Sequence, residues 1–252
     1  MPAERPRLIH KPARRNGPLH VRYRPRTFDT VIGHRAQVQT LAQLVQARAV
    51  QSFLISGPSG VGKTTLARIA AQELGCRNDG LLEIDAATYS GIDSIRHIQS
   101  LMRYRPFGSP VRCIVMDEAH RLSGSAWDAL LLSIEEPPDY VFWLFCTTDV
   151  WRVPETIQTR CVHVKLEPLS DHELKGLLKD VMAREQIRLA PGIVNQIVRV
   201  ARGSPRQALV LLATVEAGLL KAAPQTSGYE QTIKDAQPKR NHQAVERNPY
   251  RR

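Results

Sequence analysis

The sequence has few cysteines and no long apolar run, and both shortages narrow the classes of protein it can belong to. Its four cysteines include no closely spaced pair and no histidine at metal-ligand spacing, which argues against a zinc site. Cys113 and Cys146 stand inside apolar runs, where a buried thiol is the ordinary explanation. No apolar stretch follows the basic N-terminus, so we expect neither a signal peptide nor a membrane span. Together these absences predict a protein of the reducing cytoplasm.

Acidic residues are scarce at both ends of the chain, although not in its middle. The 252 residues carry a formal net charge of +11. Residues 1–26 hold eight Arg and Lys against one Glu, and residues 221–252 hold seven against three Asp and Glu. The ends therefore contribute +7 and +4, which leaves 20 basic and 20 acidic residues between them. This distribution predicts basic tails that are either solvated or in contact with nucleic acid.

Short apolar runs alternate with helical patterns along the first two thirds of the chain. Helices are predicted from Thr64, from Ser94, from about Ser125 and near Pro154. Such alternation indicates an α/β fold with helices on both faces of a parallel sheet. Five strands are predicted, with the sequences SFLIS, LLEIDA, CIVMD, VFWLFCTT and CVHVKL.

From Ser170 onward only helical patterns remain. SDHE has the spacing of a capping box, and Ser204 is a predicted N-cap with Pro205 in the first helical position. No internal repeat is apparent. We predict four segments: a basic tail without fixed structure over residues 1–22, an α/β domain over 23–168, a three-helix domain over 169–221 and a second basic tail over 222–252.

The stretch GPSGVGKT, residues 57–64, follows an apolar strand and precedes a helix. In that context the glycines let backbone N–H groups close around phosphates at a helix N-terminus. Lys63 is expected to reach the β- and γ-phosphates, and the Thr64 hydroxyl to bind Mg²⁺. A chance glycine-rich turn is the alternative, which the flanking strand and helix disfavour. The predicted ATP-binding residues here are Gly57, Pro58, Ser59, Gly60, Val61, Gly62, Lys63, Thr64 and Thr65.

The run CIVMDEAH ends a predicted strand with two carboxylates. Ligands bind at the carboxyl edge of such sheets, so Asp117 is expected to hold Mg²⁺, directly or through water. Glu118 is expected to orient and polarise an attacking water. A solvated Asp-Glu turn is the alternative. His120 is interpreted as a surface or strand-end histidine.

Two arginines do not fit a self-contained hydrolase. Arg206 lies in the first turn of a predicted helix, where a cation opposes the helix dipole, so its position indicates a compensating anion such as a nucleotide phosphate. Arg160 lies near the end of a short predicted helix, where a cation is favoured. The residues alone therefore leave Arg160 open between a catalytic role and an ordinary helix-end cation.

Seven segments together resemble the clamp-loader ATPases of the AAA+ superfamily, above all the gamma/tau subunits of bacterial DNA polymerase III and then the small subunits of replication factor C. The resemblance covers about residues 22–220 and is more specific than any single motif. The segments, in chain order, are YRPRTFDTVIGH, GPSGVGKTT, IVMDEAH, LLLSIEEPP, FCTTD, TRC and RGSPRQAL.

The resemblance implies a P-loop ATPase domain followed by a helical lid, and it implies roles for particular residues. Val31 and Ile32 are candidates for contact with the adenine. Thr148 matches the sensor position beside the γ-phosphate. Arg160 matches the arginine that is projected into the ATP site of the next subunit, and Arg206 matches the lid arginine that contacts nucleotide in its own subunit.

Three departures from the family accompany this resemblance. Thr159 replaces the usual serine before Arg160 and Cys161. The four-cysteine zinc module of bacterial gamma/tau subunits is missing, since only Cys76 stands in its place, so no zinc is implied. After Leu220 only 32 residues remain, too few for the family's helical collar domain. The chain is therefore expected to be either a truncated piece of a longer protein or a compact, phage-type loader that assembles differently.

For DNA, the resemblance implies a spiral of subunits, commonly five, whose inner helices follow the duplex phosphates. Binding to the backbone would be salt-sensitive and blind to sequence. The loop at residues 104–110 is a candidate for contact with the clamp through Tyr104 and Phe107, although at least one of these is expected to anchor the core. The candidate DNA-binding residues, each of which also suits a solvated helix face, are Arg96, Arg103, Arg105 and Arg121.

The leading hypothesis is a subunit of an ATP-dependent loader of sliding clamps, which hydrolyses ATP when primer-template DNA is engaged. Its implied partners are the clamp, the DNA and other loader subunits, in a homo- or hetero-oligomer. A structural subunit that binds nucleotide but barely hydrolyses it is a second hypothesis. A AAA+ motor or helicase without a clamp is the third, and DEAH names one helicase class; such helicases need two stacked sheet domains, for which the chain has no room.

Overall fold

Five parallel strands form the centre of the fold, as the sequence predicts. The computed structural model describes residues 17–218. Its sheet has the order β2-β3-β4-β1-β5, so the strand before the phosphate loop lies between β4 and β5. The carboxyl ends of all five strands share one edge. The strands are β1 (Ser52–Ser56), β2 (Leu81–Asp85), β3 (Arg112–Asp117), β4 (Val141–Thr147) and β5 (Val162–Lys165).

Helices cover both faces of the sheet. On one face α2 and α3 bury side chains such as Leu41 and Ala70 against Phe53 and Val115. On the other face α4 and α5 pack around Trp143. The sheet is apolar on both sides because it is covered on both sides, and β1 and β4 are buried throughout. The helices that precede the lid are α1 (Leu19–Arg22), α2 (Arg35–Ala47), α3 (Lys63–Glu73), α4 (Ile92–Met102), α5 (Gly124–Glu135) and α6 (Glu155–Gln158).

Three further helices form a separate core, which we call the lid. They are α7 (Asp171–Glu185), α8 (Pro191–Ala201) and α9 (Pro205–Glu216). Both predicted helix starts are confirmed. The Ser170 hydroxyl accepts a bond from the Glu173 amide while the Glu173 carboxylate accepts one from the Ser170 amide, and the Ser204 hydroxyl accepts one from the Gln207 amide.

The described structure starts earlier than the sequence suggests. Helix α1 lies within the segment predicted to lack structure, because Leu19 is buried in the lid core beside Leu174 and Leu209. The first of the described helices thus packs against the lid, which is formed by the last three of them. Residues 1–16 of the first predicted tail and the whole of the second, 222–252, lie outside the described residues, and the domain boundaries stay predictions. Between residues 17 and 218, no helix combines the length and apolarity needed to cross a membrane.

Candidate nucleotide site

A cleft of about 1510 Å³ opens at the carboxyl edge of the sheet. Three walls enclose it: the phosphate loop between β1 and α3, the N-terminal segment from Gly17 to His34, and the lid. Its volume exceeds the 300–1,000 Å³ that is usual for ligand pockets, because it continues past the phosphate loop between the lid and the N-terminal segment.

The phosphate loop turns through two glycines in conformations that other residues rarely adopt. Gly60 has φ +79° and Gly62 has φ +117°, and α3 begins directly afterwards at Lys63. Backbone N–H groups at such a helix N-terminus, together with the helix dipole, favour a bound phosphate. Ser59, Thr64 and Thr65 also line the cleft here, whereas Gly57 and Pro58 contribute through their carbonyl groups.

Lys63 lies folded into the loop, with only 6% of its surface exposed. Its Nζ donates to the carbonyl oxygens of Gly57 at 2.8 Å and Pro58 at 3.0 Å. Burial lowers the pKa of the Lys63 amine, while the nearby Glu118 and Asp117 carboxylates oppose that shift. An anion entering the loop would give this buried ammonium a charged partner, which neither carbonyl provides.

Thr64 and Asp117 come together although they are far apart in sequence. The Thr64 hydroxyl donates to Asp117 Oδ2 at 2.8 Å. A hydroxyl and a carboxylate suit Mg²⁺, which keeps several waters and takes one or two protein carboxylates plus substrate phosphates. Within residues 17–218, no group of three or more His, Cys, Asp and Glu is arranged to hold a metal.

Glu118 is held by a small polar network at the carboxyl ends of β3 and β4. Thr148 Oγ1 donates to Glu118 Oε2 at 3.0 Å. His120 Nδ1 lies 3.4 Å from the same oxygen and 3.2 Å from Thr147 Oγ1. Glu118 itself has φ +49°, a left-handed conformation unusual for this residue. The carboxylate thus faces the predicted sensor threonine.

Of the two alternatives for His120, the strand-end one holds, because the residue follows directly after β3. The surface alternative is wrong, because only 9% of its side chain is exposed. Its burial follows from the short turn at Ala119–Arg121, which folds the chain back beside β4. The sequence of the motif does not predict this contact between the turn and β4.

The lid meets the phosphate loop at the start of α9. The Arg206 backbone N–H donates to the Gly60 carbonyl at 3.4 Å, and the Arg206 side chain lines the cleft. A Cβ placed on Gly60 would lie 2.3 Å from Ser204 Oγ and 3.3 Å from Arg206 Cβ. The N-terminus of the lid helix therefore approaches the loop closely enough to exclude any side chain at residue 60.

That close approach gives a testable prediction. Gly60→Ala strains the left-handed backbone and pushes the start of α9 away, so we expect nucleotide affinity to fall by about tenfold or more. Titration with a fluorescent ADP analogue measures this. Gly176→Ala is the matched control, because a Cβ at Gly176, inside α7, meets nothing within 4 Å. An unchanged affinity in Gly60→Ala would contradict the account of this contact.

Val31 and Ile32 are neighbours in sequence but contact different cores. Val31 packs against the sheet core and Ile32 against the lid core. Both line the cleft beyond the phosphate loop, and their contact with the adenine stays a prediction. The N-terminal segment thus crosses the junction between the α/β domain and the lid at these two residues.

Arg160 lies at the amino ends of the strands, whereas the phosphate loop lies at their carboxyl ends. Strand β5 runs parallel to β1, and the Leu166 amide bonds to the Ser56 carbonyl next to the loop. The rise from Val162 to Leu166 is about 13 Å at about 3.3 Å per residue, and Arg160 precedes Val162 by two residues. Of the described residues that line the cleft, none comes from residues 148–165. Arg160 is therefore remote from the cleft of its own chain.

The Arg160 side chain is anchored at that remote edge. Its guanidinium donates to the Thr156 carbonyl at 2.8 Å and to Glu135 Oε1 at 3.1 Å. About one third of the side chain remains exposed. Two of the five guanidinium N–H donors are thus hydrogen-bonded within the chain, and these bonds fix the orientation of the group at the surface.

The candidate DNA-binding arginines differ in their surroundings. Arg105 donates to both oxygens of Asp139 and stacks over the Tyr140 ring at 4.6 Å, so its charge is already paired. Arg96 on α4 is 3.4 Å from Asp93. Arg103 and Arg121 are exposed.

The loop at residues 104–110 exposes both of its aromatic side chains. Tyr104 is 74% exposed and Phe107 is fully exposed. The expectation that at least one of them anchors the core is wrong, because Pro106 and Ser109 are the buried residues of this loop.

The chain is similar in sequence to subunits of DNA polymerase III. The profile of the family described as DNA polymerase III, delta subunit, matches residues 81–170. The DNA polymerase III gamma subunit of Buchnera aphidicola is 33% identical over 76% of this chain and 59% of its own length. The tau subunits of Escherichia coli and Bacillus subtilis are 32% and 30% identical, each over 75% of this chain and over 33% and 38% of their own lengths.

A solved structure shares the fold more distantly. The RuvB Holliday junction branch migration motor of Thermotoga maritima superposes with a TM-score of 0.66 at 24% identity, over 78% of this chain and 66% of that one. The chain spans between about one third and three fifths of the length of the curated relatives named above. These similarities support a clamp-loader AAA+ ATPase that is related, over about three quarters of this chain, to the gamma and tau subunits of DNA polymerase III.

Proposed function

We propose that this protein is a subunit of an ATP-dependent loader that places a ring-shaped sliding clamp on primer-template DNA. The observation that carries the proposal is an incomplete site. Lys63, Thr64, Asp117 and Glu118 converge on one cleft, whereas Arg160 is held at the opposite edge of the sheet. Such a subunit needs a neighbour to complete its ATP site.

The reaction proposed is hydrolysis of ATP to ADP and phosphate. The phosphate loop binds the phosphates through its backbone N–H groups, and Lys63 exchanges its two carbonyl partners for the β- and γ-phosphates. Thr64 and Asp117 would hold Mg²⁺, which neutralises charge that develops on the phosphate oxygens. On the lid, Arg206 contacts the nucleotide from above the loop.

Glu118 acts on the water that attacks the γ-phosphate. Its carboxylate accepts a hydrogen bond from that water and so orients and polarises it, while Thr148 directs the carboxylate. Arg160 of a second subunit supplies positive charge to the transferring phosphoryl group. Hydrolysis would act as a timer for release, whereas the energy that opens the clamp would come from binding in the ATP state.

The clamp and the DNA contact other surfaces of the α/β domain. Tyr104 and Phe107 offer two exposed aromatic rings for the clamp, and aromatic residues are enriched in protein interfaces. Arg96, Arg103 and Arg121 are available to DNA phosphates, and Arg105 contributes less because Asp139 pairs with it. We assign the ATPase to residues 23–168 and the lid to residues 169–221.

A clamp-transfer assay tests the proposal. The protein is combined with the sliding clamp of its own cell, its other loader subunits and a primed circular DNA. We expect clamp to elute with the DNA only when ATP is present. ATP-driven strand separation of a forked duplex by this protein alone would instead identify a nucleic-acid motor. Clamp transfer without measurable ATP turnover at this subunit's site would identify a structural subunit.

A further inference from the structure

The carboxylate of Glu185, the last residue of α7, contacts two side chains of the N-terminal segment. The Tyr23 hydroxyl donates to Glu185 Oε1, and Arg22 Nη2 lies 2.7 Å from Glu185 Oε2. Arg22 also lies over the Tyr23 ring, 5.6 Å from its centroid. We propose that this three-residue contact, called here the Glu185 latch, fixes the lid to the N-terminal segment and thereby sets the affinity of the cleft for nucleotide. The inference rests on the proposed function.

The latch is partly buried, which distinguishes it from an ordinary surface ion pair. The side chains of Arg22 and Glu185 are 15% and 21% exposed. Exposed pairs contribute little because water and salt screen them, whereas screening is much weaker for groups removed from solvent. Burial, and next the hydrogen bond to Glu185, raise the pKa of Tyr23. The hydroxyl therefore keeps the proton that it donates to the carboxylate.

The residues before and after Arg22 and Tyr23 connect the Glu185 latch to both the lid core and the sheet core. On one side Leu19 is buried in the lid core. On the other side Phe28 and Val31 pack against the sheet core, and Ile32 returns to the lid core. The N-terminal segment therefore connects two separate cores, and Glu185 binds the part of it that packs on the lid.

The N-terminal segment also forms one wall of the cleft. Arg22, Tyr23 and Glu185 line the cleft together with Val31 and Ile32, and the opposite end of the lid reaches Gly60 through Arg206. A lid that is fixed at both ends presents its residues in the arrangement that binds nucleotide. Releasing one end increases the conformational freedom that binding must then remove, which weakens affinity without removing any contact to the nucleotide.

Nucleotide affinity of the full chain tests the latch directly. A fluorescent ADP analogue is titrated against the wild type and the variants Tyr23→Phe, Glu185→Ala and Glu185→Gln, and its dissociation rate is measured. We expect Tyr23→Phe and Glu185→Ala to weaken binding by about tenfold, mainly through faster dissociation. Glu185→Gln should weaken it less, since its amide oxygen still accepts from the Tyr23 hydroxyl. The double variant Tyr23→Phe/Glu185→Ala should bind about as Glu185→Ala does, because Glu185→Ala alone already removes the bond between Tyr23 and Glu185 together with the one to Arg22.

Asp180→Asn is the matched control, an exposed carboxylate on the same helix. Removing a negative charge near the cleft should strengthen binding of an anionic nucleotide, so a general charge effect has the opposite sign to the latch. Wild-type affinity in Tyr23→Phe and Glu185→Ala would overturn the inference, and so would equal weakening by Asp180→Asn. Tyr23→Phe decides the matter if Glu185→Ala proves misfolded by circular dichroism, because it removes a single oxygen atom.

A further variant separates this inference from the function on which it rests. Lys63→Ala should abolish binding of the analogue. If the wild type binds it and Lys63→Ala does not, the nucleotide site stands, and unchanged affinity in the latch variants overturns the latch alone. If Lys63→Ala binds as well as the wild type, the proposed nucleotide site itself is overturned, together with the latch.

Discussion

Arg160→Ala is expected to lower the ATPase rate of the assembled protein by about three orders of magnitude, because an arginine directed at the transferring phosphoryl group is worth about 10³ to 10⁵ in rate. In the wild type the rate per mole of protein should rise with protein concentration as subunits complete one another's sites. In the variant the rate should stay low at every concentration, while nucleotide affinity measured on the isolated subunit is unchanged. Steady-state turnover on primed DNA measures the two rates, and titration with the fluorescent ADP analogue measures the affinity.

Mixing two inactive variants gives the sharpest form of this test. A Lys63→Ala subunit keeps Arg160, and an Arg160→Ala subunit keeps an intact phosphate loop. If Arg160 acts in a neighbouring site, the mixture should hydrolyse ATP although neither variant does alone. Arg152→Ala is the matched control, since Arg152 is an exposed arginine on the same connection between β4 and β5. Equal turnover by the wild type and Arg160→Ala would reduce Arg160 to an ordinary surface cation.

Lys63→Ala is expected to abolish nucleotide binding and with it hydrolysis. The substitution removes the buried ammonium that faces the phosphates, and interactions of this kind are worth about 10² to 10³ or more in rate. The variant also leaves the carbonyls of Gly57 and Pro58 without their donor, at a cost of about 1–3 kcal/mol in stability. Binding of the ADP analogue and thermal unfolding are therefore measured together.

Lys179→Ala, an exposed lysine on α7, controls for the loss of one positive charge. A Lys63→Ala protein that keeps its fold and still binds nucleotide with wild-type affinity would contradict the assignment of the phosphate loop. Loss of binding in both variants would point to charge in general rather than to the geometry of the loop.

The sequence predicts the sheet and the phosphate loop because their signals are local. Each strand is a short apolar run, and GPSGVGKT specifies its own turn and helix start. The carboxylate pair Asp117 and Glu118 is predictable for the same reason, since the end of a buried parallel strand fixes which edge of the sheet it reaches. Capping at Ser170 and Ser204 depends only on residues three positions apart.

What the sequence does not reveal depends on contacts between distant segments. Leu19 looks like part of a polar tail until the lid core that buries it is known. Arg105 looks like a free cation until Asp139, 34 residues later, is seen beside it. Glu185 and Tyr23 are separated by 162 residues, and no pattern in either stretch indicates their contact.

The position of Arg160 opposite the phosphate loop constrains the symmetry of any assembly that uses it. The donor and the acceptor surfaces lie at different edges of the subunit, so a two-fold pair that buries one edge of each chain cannot complete both sites. Subunits must associate head to tail, and such contacts generate a ring or a helical arc. In an open arc the terminal phosphate loop has no neighbour to supply the arginine. The number of complete sites is then one fewer than the number of subunits, and closing the arc adds the last one.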